Sequence, residues 1–195
     1  MTSTRRPSYP IEPIFVERWS PRAMSGQEIE TEKLMSLFEA ARWAPSSFNN
    51  QPWRFLYSRR GSPSWDTFFN LLAPTNKTWA KNAAALILIA SKRTFDRDGK
   101  PSRTHSFDTG AAWASLALQG SRMGLVVHGM QGFDYDKAQE ALKLPTDSTV
   151  EAMIAVGLPG RKEDLPEPLR EKEFPNDRKP LTETVFEGFF PADKA

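Results

Sequence analysis

The segment APSSFNNQPW, residues 44–53, interrupts a helical pattern and places a proline near each of its ends. Between the prolines stand five hydrogen-bonding side chains, those of Ser46, Ser47, Asn49, Asn50 and Gln51. The prolines restrict the backbone, so these side chains would lose little entropy on binding a polar, planar ligand. A helix stop whose Ser and Asn side chains bond their own backbone explains the same composition. The segment alone leaves both interpretations open.

The composition of the chain limits its class. With 195 residues, 39% of them hydrophobic, the chain is long enough to bury a core, and we expect one domain over residues 1–195. The 26 basic and 24 acidic residues nearly cancel and form no long block of like charge, so nucleic-acid binding is not indicated. The absence of cysteine excludes disulfides, thiol nucleophiles and thiolate metal sites.

The chain carries no sequence signal for a membrane or for export. Its longest apolar run, AAALILIA at 83–90, is far short of the ~20 residues that cross a bilayer. The N-terminal MTSTRRPSYP has no apolar stretch behind its arginines, as a secretory signal would. We therefore expect a cytoplasmic protein with no membrane partner.

Hydrophobic periodicity predicts mixed helices and strands, an α+β architecture. Ser25 and Glu28 have the spacing of a capping box, and an apolar stripe runs through 34–41, so a helix is expected from Ser25 to about Ala44. Strands are predicted at 53–57, 84–91, 125–130 and 150–157, and further helices at 64–73, 107–125 and 136–144. Gly124 is placed to close the most apolar of these helices.

The two ends of the chain differ from its centre. Residues 1–12 are irregular and proline-bearing, and we expect a flexible leader. Residues 158–180 hold five prolines among charged residues, typical of an extended arm. PLTETVFEGFF, 180–190, returns to β-branched and aromatic residues. The arm, 158–195, is therefore predicted to end in a strand that packs on a second subunit.

Two further clusters can bind an anion or a flat ligand. In RWSPR, residues 18–22, Arg18, Ser20 and Arg22 alternate, so in an extended segment they project to one side, suited to a phosphate. A solvated basic strand has the same pattern. In HGMQGFDYD, 128–136, two glycines would let backbone amides approach a flat ligand, although a tight turn explains them equally well.

Taken together, these clusters resemble the nitroreductase family of FMN-dependent oxidoreductases. The matching blocks follow in order as RWSPR, AARWAPSSFNNQPWRF, NKTWAKNAAALILIA, DTGAAWASLALQGSRMGL, GMQGFDYD, AVGLPG and RKPLTETV. The resemblance implies a nitroreductase-like α+β fold, with a central, mainly antiparallel sheet flanked by helices. It also implies an interlocked homodimer with shared FMN sites and an extended C-terminal segment.

The resemblance implies, residue by residue, which side chains and amides hold FMN. The phosphate and ribityl end would be bound by Arg18, Trp19, Ser20, Arg22, Arg178 and Lys179. The flavin would be lined from the opposite subunit by Pro45, Ser46, Ser47, Asn49 and Gln51. The pyrimidine edge would face Asn76, and the region of flavin N5 would be approached by Gly129, Met130, Gln131 and Gly132.

The activity implied by the resemblance is hydride transfer from NADH or NADPH, through flavin N5, to an electron-poor acceptor such as a nitroaromatic or a quinone. The cycle would be ping-pong, with no catalytic side chain and no metal. Two alternatives stay open: other redox chemistry on the same scaffold, such as dehalogenation or dehydrogenation, and a non-catalytic protein that binds or stores flavin.

Two departures from the family pattern bear on the site. Many members carry glutamate where this chain has Gln131, so the missing charge implies a more oxidising flavin. The charged segment 92–105 stands where larger members close over the substrate, so Arg103 and His105 either contact substrate or nicotinamide phosphate or lie in a solvated loop. We expect His128 to be structural.

Overall fold

The centre of the protein is an antiparallel sheet with the strand order β1-β2-β4-β3. In a computed structural model that describes residues 5–191, the strands are β1 (Trp53–Arg59), β2 (Ala85–Lys92), β3 (Val126–Met130) and β4 (Ser148–Gly157). The two middle strands, β2 and β4, contain long buried apolar runs, as strands covered on both faces require. All four predicted strands are confirmed, and so is the α+β, antiparallel architecture.

Helices cover both faces of the sheet. Within residues 5–191 they are α1 (Pro13–Glu17), α2 (Thr31–Arg42), α3 (Trp65–Leu71), α4 (Pro74–Ala80), α5 (His105–Arg122), α6 (Tyr135–Ala141) and α7 (Glu167–Arg170). Side chains alternate between the faces of a strand. Ile87 of β2 therefore packs with α2 and α5, whereas Leu88 packs with α3, α4 and α6.

Helix α5 lies as predicted in the middle of the protein, and Gly124 closes it. The N–H of Leu125 donates to the Gly120 carbonyl at 2.9 Å, and the N–H of Gly124 donates to the Ser121 carbonyl at 3.1 Å. This pair of bonds satisfies carbonyls that the helix end would otherwise leave unpaired. The next residues enter β3 directly, so the cap fixes where that edge strand begins.

The predicted capping box is wrong. Helix α2 begins at Thr31, not near Ser25, and the Ser25 hydroxyl instead accepts the N–H of Gln27 at 3.2 Å. The backbone of Ser25 donates to the Leu158 carbonyl at 3.0 Å. This long-range pairing holds the segment in a non-helical conformation, and residue spacing alone does not reveal it.

Arg5, at the start of the described part of the leader, bonds to distant backbone groups. Helix α1, which the sequence reading missed, follows the leader, and Arg5 donates to the carbonyls of Val16 and Arg18, each at 2.9 Å. Arg5 also donates to the carbonyl of Asn176 at 2.7 Å, which ties the two ends of the chain together. Residues 6–12 are exposed and form no helix or strand, so the flexible leader stays a prediction, and residues 1–4 lie outside the described part.

Within the single chain the described residues of the predicted terminal segment form no strand, and the strand that packs on a second subunit stays a prediction. The arm contains α7 and short 3-10 turns at Lys162–Asp164 and Leu181–Glu183, and residues 184–191 form no strand. A strand needs a neighbouring edge for its hydrogen bonds, and within residues 5–191 none lies beside this segment. In the single chain Phe189 is 92% exposed, and the ring of Phe186 packs against that of Phe190.

None of the helices in residues 5–191 has the length and apolarity needed to cross a membrane.

Candidate functional site

A cleft of about 490 Å³ brings basic residues from both ends of the chain together. Its walls are Arg5, Arg18, Trp19, Ser20, Arg22, His128, Lys172, Phe174, Asn176 and Arg178. The predicted N-terminal motif and Arg178 therefore meet, although most of the chain separates them in sequence. No carboxylate belongs to this lining, so the basic cleft is suited to an anion.

Arg18 is a partly buried cation of the basic cleft with two other arginines nearby. Burial lowers the pKa of its guanidinium, and the nearby charges of Arg178 and Arg5 lower that pKa further. Arginine nonetheless stays protonated in proteins. Its Nη1 donates to the Ser20 hydroxyl at 3.3 Å, which aligns the two predicted phosphate ligands. A bound anion would relieve the repulsion among these cations.

His128, on β3, forms one wall of the basic cleft. Its Nδ1–H donates to the Pro21 carbonyl at 2.9 Å, and its ring centroid lies 4.6 Å from that of buried Trp79. Burial is the main cause that lowers the pKa of this imidazole. A neutral imidazole with the proton on Nδ1 keeps the Arg22 segment against the sheet, in line with the expected structural role.

Lys179 is not brought into the basic cleft. It lies in an adjacent groove of about 460 Å³, between the leader and the arm, that Arg178 also lines. Of the two predicted C-terminal ligands, the structure therefore places only Arg178 beside Arg18 and Arg22.

The predicted residues Asn76 and Gly132 are in direct contact. The side-chain amide of Asn76, on α4, donates through Nδ2 to the Gly132 carbonyl at 2.9 Å. A Cβ atom added to Gly132 would lie only 2.8 Å from that Nδ2, so a larger residue would displace the Asn76 amide. Gln131 beside it is exposed. The turn after β3 and helix α4 thus form one surface.

The two residues before Gln131 offer no side chain to a ligand, although Gly129 itself is exposed. The Met130 side chain is buried in the core, and Gly129 lies against the ring of Trp113. At these two positions only backbone atoms can contact a ligand.

The polar turn, residues 45–51, is held in an unusual conformation. Phe48, Asn49 and Gln51 have φ values of 52°, 54° and 49°, in the left-handed region that non-glycine residues adopt at a cost. The Ser47 N–H donates to Asp108 Oδ2 at 3.0 Å, and the Gln51 N–H donates to the Ser46 hydroxyl at 3.0 Å. Its side chains therefore stabilise its own backbone, and strain of this kind is typical of ligand sites.

An aromatic and cationic rim adjoins the polar turn. Phe48 is 74% exposed, and the Arg97 guanidinium carbon lies 4.3 Å from its ring centroid and 5.0 Å from that of Phe95. The rim borders a cleft of about 440 Å³ lined by residues of the polar turn, by Trp53 and Arg54 of β1, and by 95–97. The segment 92–105 thus brings Arg97, rather than the predicted Arg103, to this cleft.

His105 belongs to a hydrogen-bonded network. Its Nδ1 lies 2.7 Å from the Ser91 hydroxyl, and Ser91 also donates to Glu151. Arg103 is exposed. Neither residue lines the cleft beside the polar turn.

The chain does not bring the polar turn to the basic cleft. The turn leads into β1, whereas His128 of the cleft stands on β3, and these are opposite edges of the sheet. Three inter-strand spacings of about 4.8 Å put the edges roughly 14 Å apart. Asn76 and Trp79 lie one turn apart on α4, so the Gly132 surface and the basic cleft share the β3 side.

Sequence reasoning missed four residues that shape these sites: Arg5, Arg97, Asp108 and Glu173. A lone carboxylate in the first turn of an otherwise apolar helix is a readable signal for Asp108. Arg5 and Glu173 bond to backbone groups far away in sequence, so no local pattern marks them. No group of residues within the described ranges has the composition and geometry to hold a metal ion.

Comparison with known proteins gives a consistent result. The profile of the Nitroreductase family matches residues 15–62 and 65–158. A solved structure of an oxidoreductase containing FMN is 43% identical, has a TM-score of 0.93 and covers 98% of either chain. An FMN-dependent nitroreductase from Clostridium difficile is 25% identical, with a TM-score of 0.62 over 74% of this chain and 85% of its own.

A curated relative from Rhodopseudomonas palustris bears the name of an NADH dehydrogenase/NAD(P)H nitroreductase. It is 24% identical over 151 residues, which make up 68% of this chain and 76% of the relative. The sequence, the strand order and these matches agree on one fold.

Proposed function

Since the chain belongs to the Nitroreductase family, we propose that it is an FMN-dependent oxidoreductase that moves a hydride from NADH or NADPH to an electron-poor acceptor. The acceptor would be a nitroaromatic or a quinone, and donor and acceptor would use one pocket in turn. The observation that carries the proposal is the basic cleft, in a chain that is 43% identical to an FMN-containing oxidoreductase over nearly its whole length.

The basic cleft has the chemistry that the FMN phosphate requires. Arg18, Arg22 and Arg178 provide three guanidinium groups, and Ser20 provides a hydroxyl, with no carboxylate among the lining residues. Guanidinium groups bind phosphate oxygens through paired hydrogen bonds. Burial, and after it the charges of Arg178 and Arg5, lower the pKa of Arg18, and a bound dianion would offset the repulsion among these cations.

The Gly132 surface would face the flavin ring. Bound FMN supplies the ring that accepts and returns the hydride. The chain supplies a turn without side-chain bulk at Gly132, an amide at Asn76 and the uncharged, exposed Gln131. These groups position the ring and set the charge around it, so no nucleophilic or acid–base side chain is required.

The separation of the polar turn from the basic cleft supports a homodimer with shared sites. The two border opposite edges of the sheet in a single chain, so a site that uses both is more readily built from two chains. In a symmetric dimer, the polar turn of one chain would complete the site of the other. Exposed apolar side chains of the arm, such as Val185, Phe189 and Phe190, are available to cover the partner.

The proposed reaction is tested by the absorbance spectrum of the purified protein, followed by separate anaerobic additions of NADPH and NADH. We expect a flavin spectrum that bleaches with a nicotinamide and recovers with a nitroaromatic or quinone. A protein that binds FMN but never consumes NAD(P)H would be a flavin store, and one that takes up no FMN would contradict the proposal.

We place the reaction in the cytoplasm.

A further inference from the structure

Glu173 is a buried carboxylate in an otherwise exposed part of the arm. Its side chain is only 3% exposed, although its neighbours Lys172 and Phe174 are exposed. Burying a charged group is unfavourable unless it is paired and hydrogen-bonded. Its partners therefore indicate why the chain keeps a carboxylate at this position.

The carboxylate binds the backbone of the basic segment. Oε1 accepts the N–H of Arg22 at 2.6 Å and the N–H of Ala23 at 2.8 Å. Oε2 lies 3.7 Å from Nη1 of Arg22 and has no hydrogen-bond donor among the described residues. A single carboxylate thus holds both the main chain and the side chain of Arg22.

The segment that carries Glu173 is packed and hydrogen-bonded to the core. Leu165 is buried, Leu169 of α7 packs against the same core, and Arg170 donates to the Leu165 carbonyl at 3.1 Å. The N–H of Glu173 itself donates to the Arg170 carbonyl at 3.2 Å. The carboxylate is therefore anchored to the folded core through α7.

Three contacts hold the backbone of Arg22 and its two neighbours, Pro21 and Ala23. Besides Glu173, His128 donates to the carbonyl of Pro21 at 2.9 Å, and Gly160 donates to the carbonyl of Ala23 at 2.9 Å. Of these three contacts, only the one from Glu173 comes from a charged side chain of the arm. It is also the contact that lies near the Arg22 guanidinium. The Arg22 guanidinium is thereby directed to the lining of the basic cleft.

We propose that Glu173 is a positioning residue for phosphate recognition: it holds the Arg22 backbone so that the guanidinium faces the basic cleft. This inference rests on the proposed function, in which the basic cleft takes the FMN phosphate. A carboxylate beside an arginine can also act in the opposite way, by competing with phosphate for the cation. The two roles predict opposite signs when the carboxylate is removed.

The test compares FMN with riboflavin, which has the same ring and no phosphate. Dissociation constants of both are measured by fluorescence for the wild type, Glu173→Gln, Glu173→Ala and the exposed matched control Glu171→Gln. The ratio of the riboflavin constant to the FMN constant isolates phosphate recognition from flavin binding in general. Melting temperatures show which variants are folded, and Glu173→Gln keeps the size of the side chain if the alanine variant does not fold.

We expect the ratio to fall roughly tenfold in Glu173→Gln, because bonds to a neutral amide are weaker than bonds to a carboxylate, and further in Glu173→Ala. Glu171→Gln should leave it unchanged. A rise of the ratio would identify Glu173 as a competitor of phosphate, and an unchanged ratio or equal loss of both ligands would also overturn the inference. A wild type that binds both flavins equally would instead overturn the phosphate site itself.

Discussion

At the scale of single residues, Gln131 is proposed to lie beside the flavin ring. It is exposed, so Gln131→Glu fits without repacking, and the new carboxylate would repel the reduced, anionic flavin. We expect the midpoint potential to fall by about 20–40 mV, because roughly 1–2 kcal/mol corresponds to this shift for a two-electron couple. An anaerobic titration against a reference dye measures it.

The charge-matched control for this prediction is Gln27→Glu, which adds a carboxylate on the exposed loop before α2. Its midpoint potential should equal that of the wild type. An unchanged or higher potential in Gln131→Glu would show that Gln131 does not lie near the ring.

His128 gives the unliganded protein a specific pH dependence. Burial lowers its folded-state pKa below the ordinary 6.5, and Arg22 lowers it further, while the Pro21 carbonyl and Glu173 act in the opposite direction. The unfolded chain then binds a proton more readily than the folded chain. The stabilisation is present above about pH 6.5 and is lost as the pH falls toward the depressed folded pKa.

We therefore expect the free energy of unfolding to fall between pH 7 and about pH 5, and to fall less steeply in His128→Gln. Urea unfolding of the FMN-free protein at several pH values measures both slopes. Equal slopes in the variant and the wild type would contradict the assignment, whatever the absolute stability of the variant.

Individual site residues differed in how far the sequence predicted them. Arg18, Arg22 and Arg178 were assigned to one site and do meet, because their blocks are characteristic of the family and the fold closes the ends of the chain together. Glu173 and Arg97 escaped prediction. Each acts through a contact with a distant segment, and such contacts follow from the tertiary fold rather than from spacing.

At the scale of elements, the first turn of α5 holds the polar turn in place. Buried Asp108 accepts the N–H of Ser47 at 3.0 Å and the hydroxyl of Thr104 at 3.3 Å. Asp108→Ala would leave a partly buried N–H without its acceptor, so we expect the free energy of unfolding to fall by about 1–3 kcal/mol. Urea denaturation measures the loss.

The control for this element is Asp66→Ala, which removes an exposed carboxylate from the first turn of α3. We expect a change of only a few tenths of a kcal/mol there, as for a surface charge near a helix end. Equal effects at the two positions would mean that Asp108 does not support the polar turn.

Elements with a strong periodic pattern were predictable, and those that depend on distant partners were not. The buried runs of β2 and β4 and the apolar helix α5 follow from composition alone. The start of α2 was misplaced because Ser25 pairs with Leu158. The segment 180–190 has the composition of a strand, yet it pairs with neither edge of the sheet in the described part of the chain, and composition does not reveal which edge a strand will use.

At the scale of the whole molecule, the central claim is that one FMN is held by two chains. This proposal is supported by the position of the polar turn and the basic cleft at opposite edges of the sheet. Two variants separate the halves of the site. Arg18→Ala with Arg178→Ala removes cations from the basic cleft, and Ser47→Trp fills the space in front of the polar turn.

The most direct test is the FMN content of a hybrid dimer made by coexpressing these two variants with different tags and purifying on both. In a shared site, the hybrid pairs one intact basic cleft with one intact polar turn. We expect the hybrid to bind about one FMN per dimer, whereas neither variant alone binds FMN, as symmetric exchange of site halves requires. A hybrid without FMN, or a wild-type monomer that retains it, would contradict a site built from two chains.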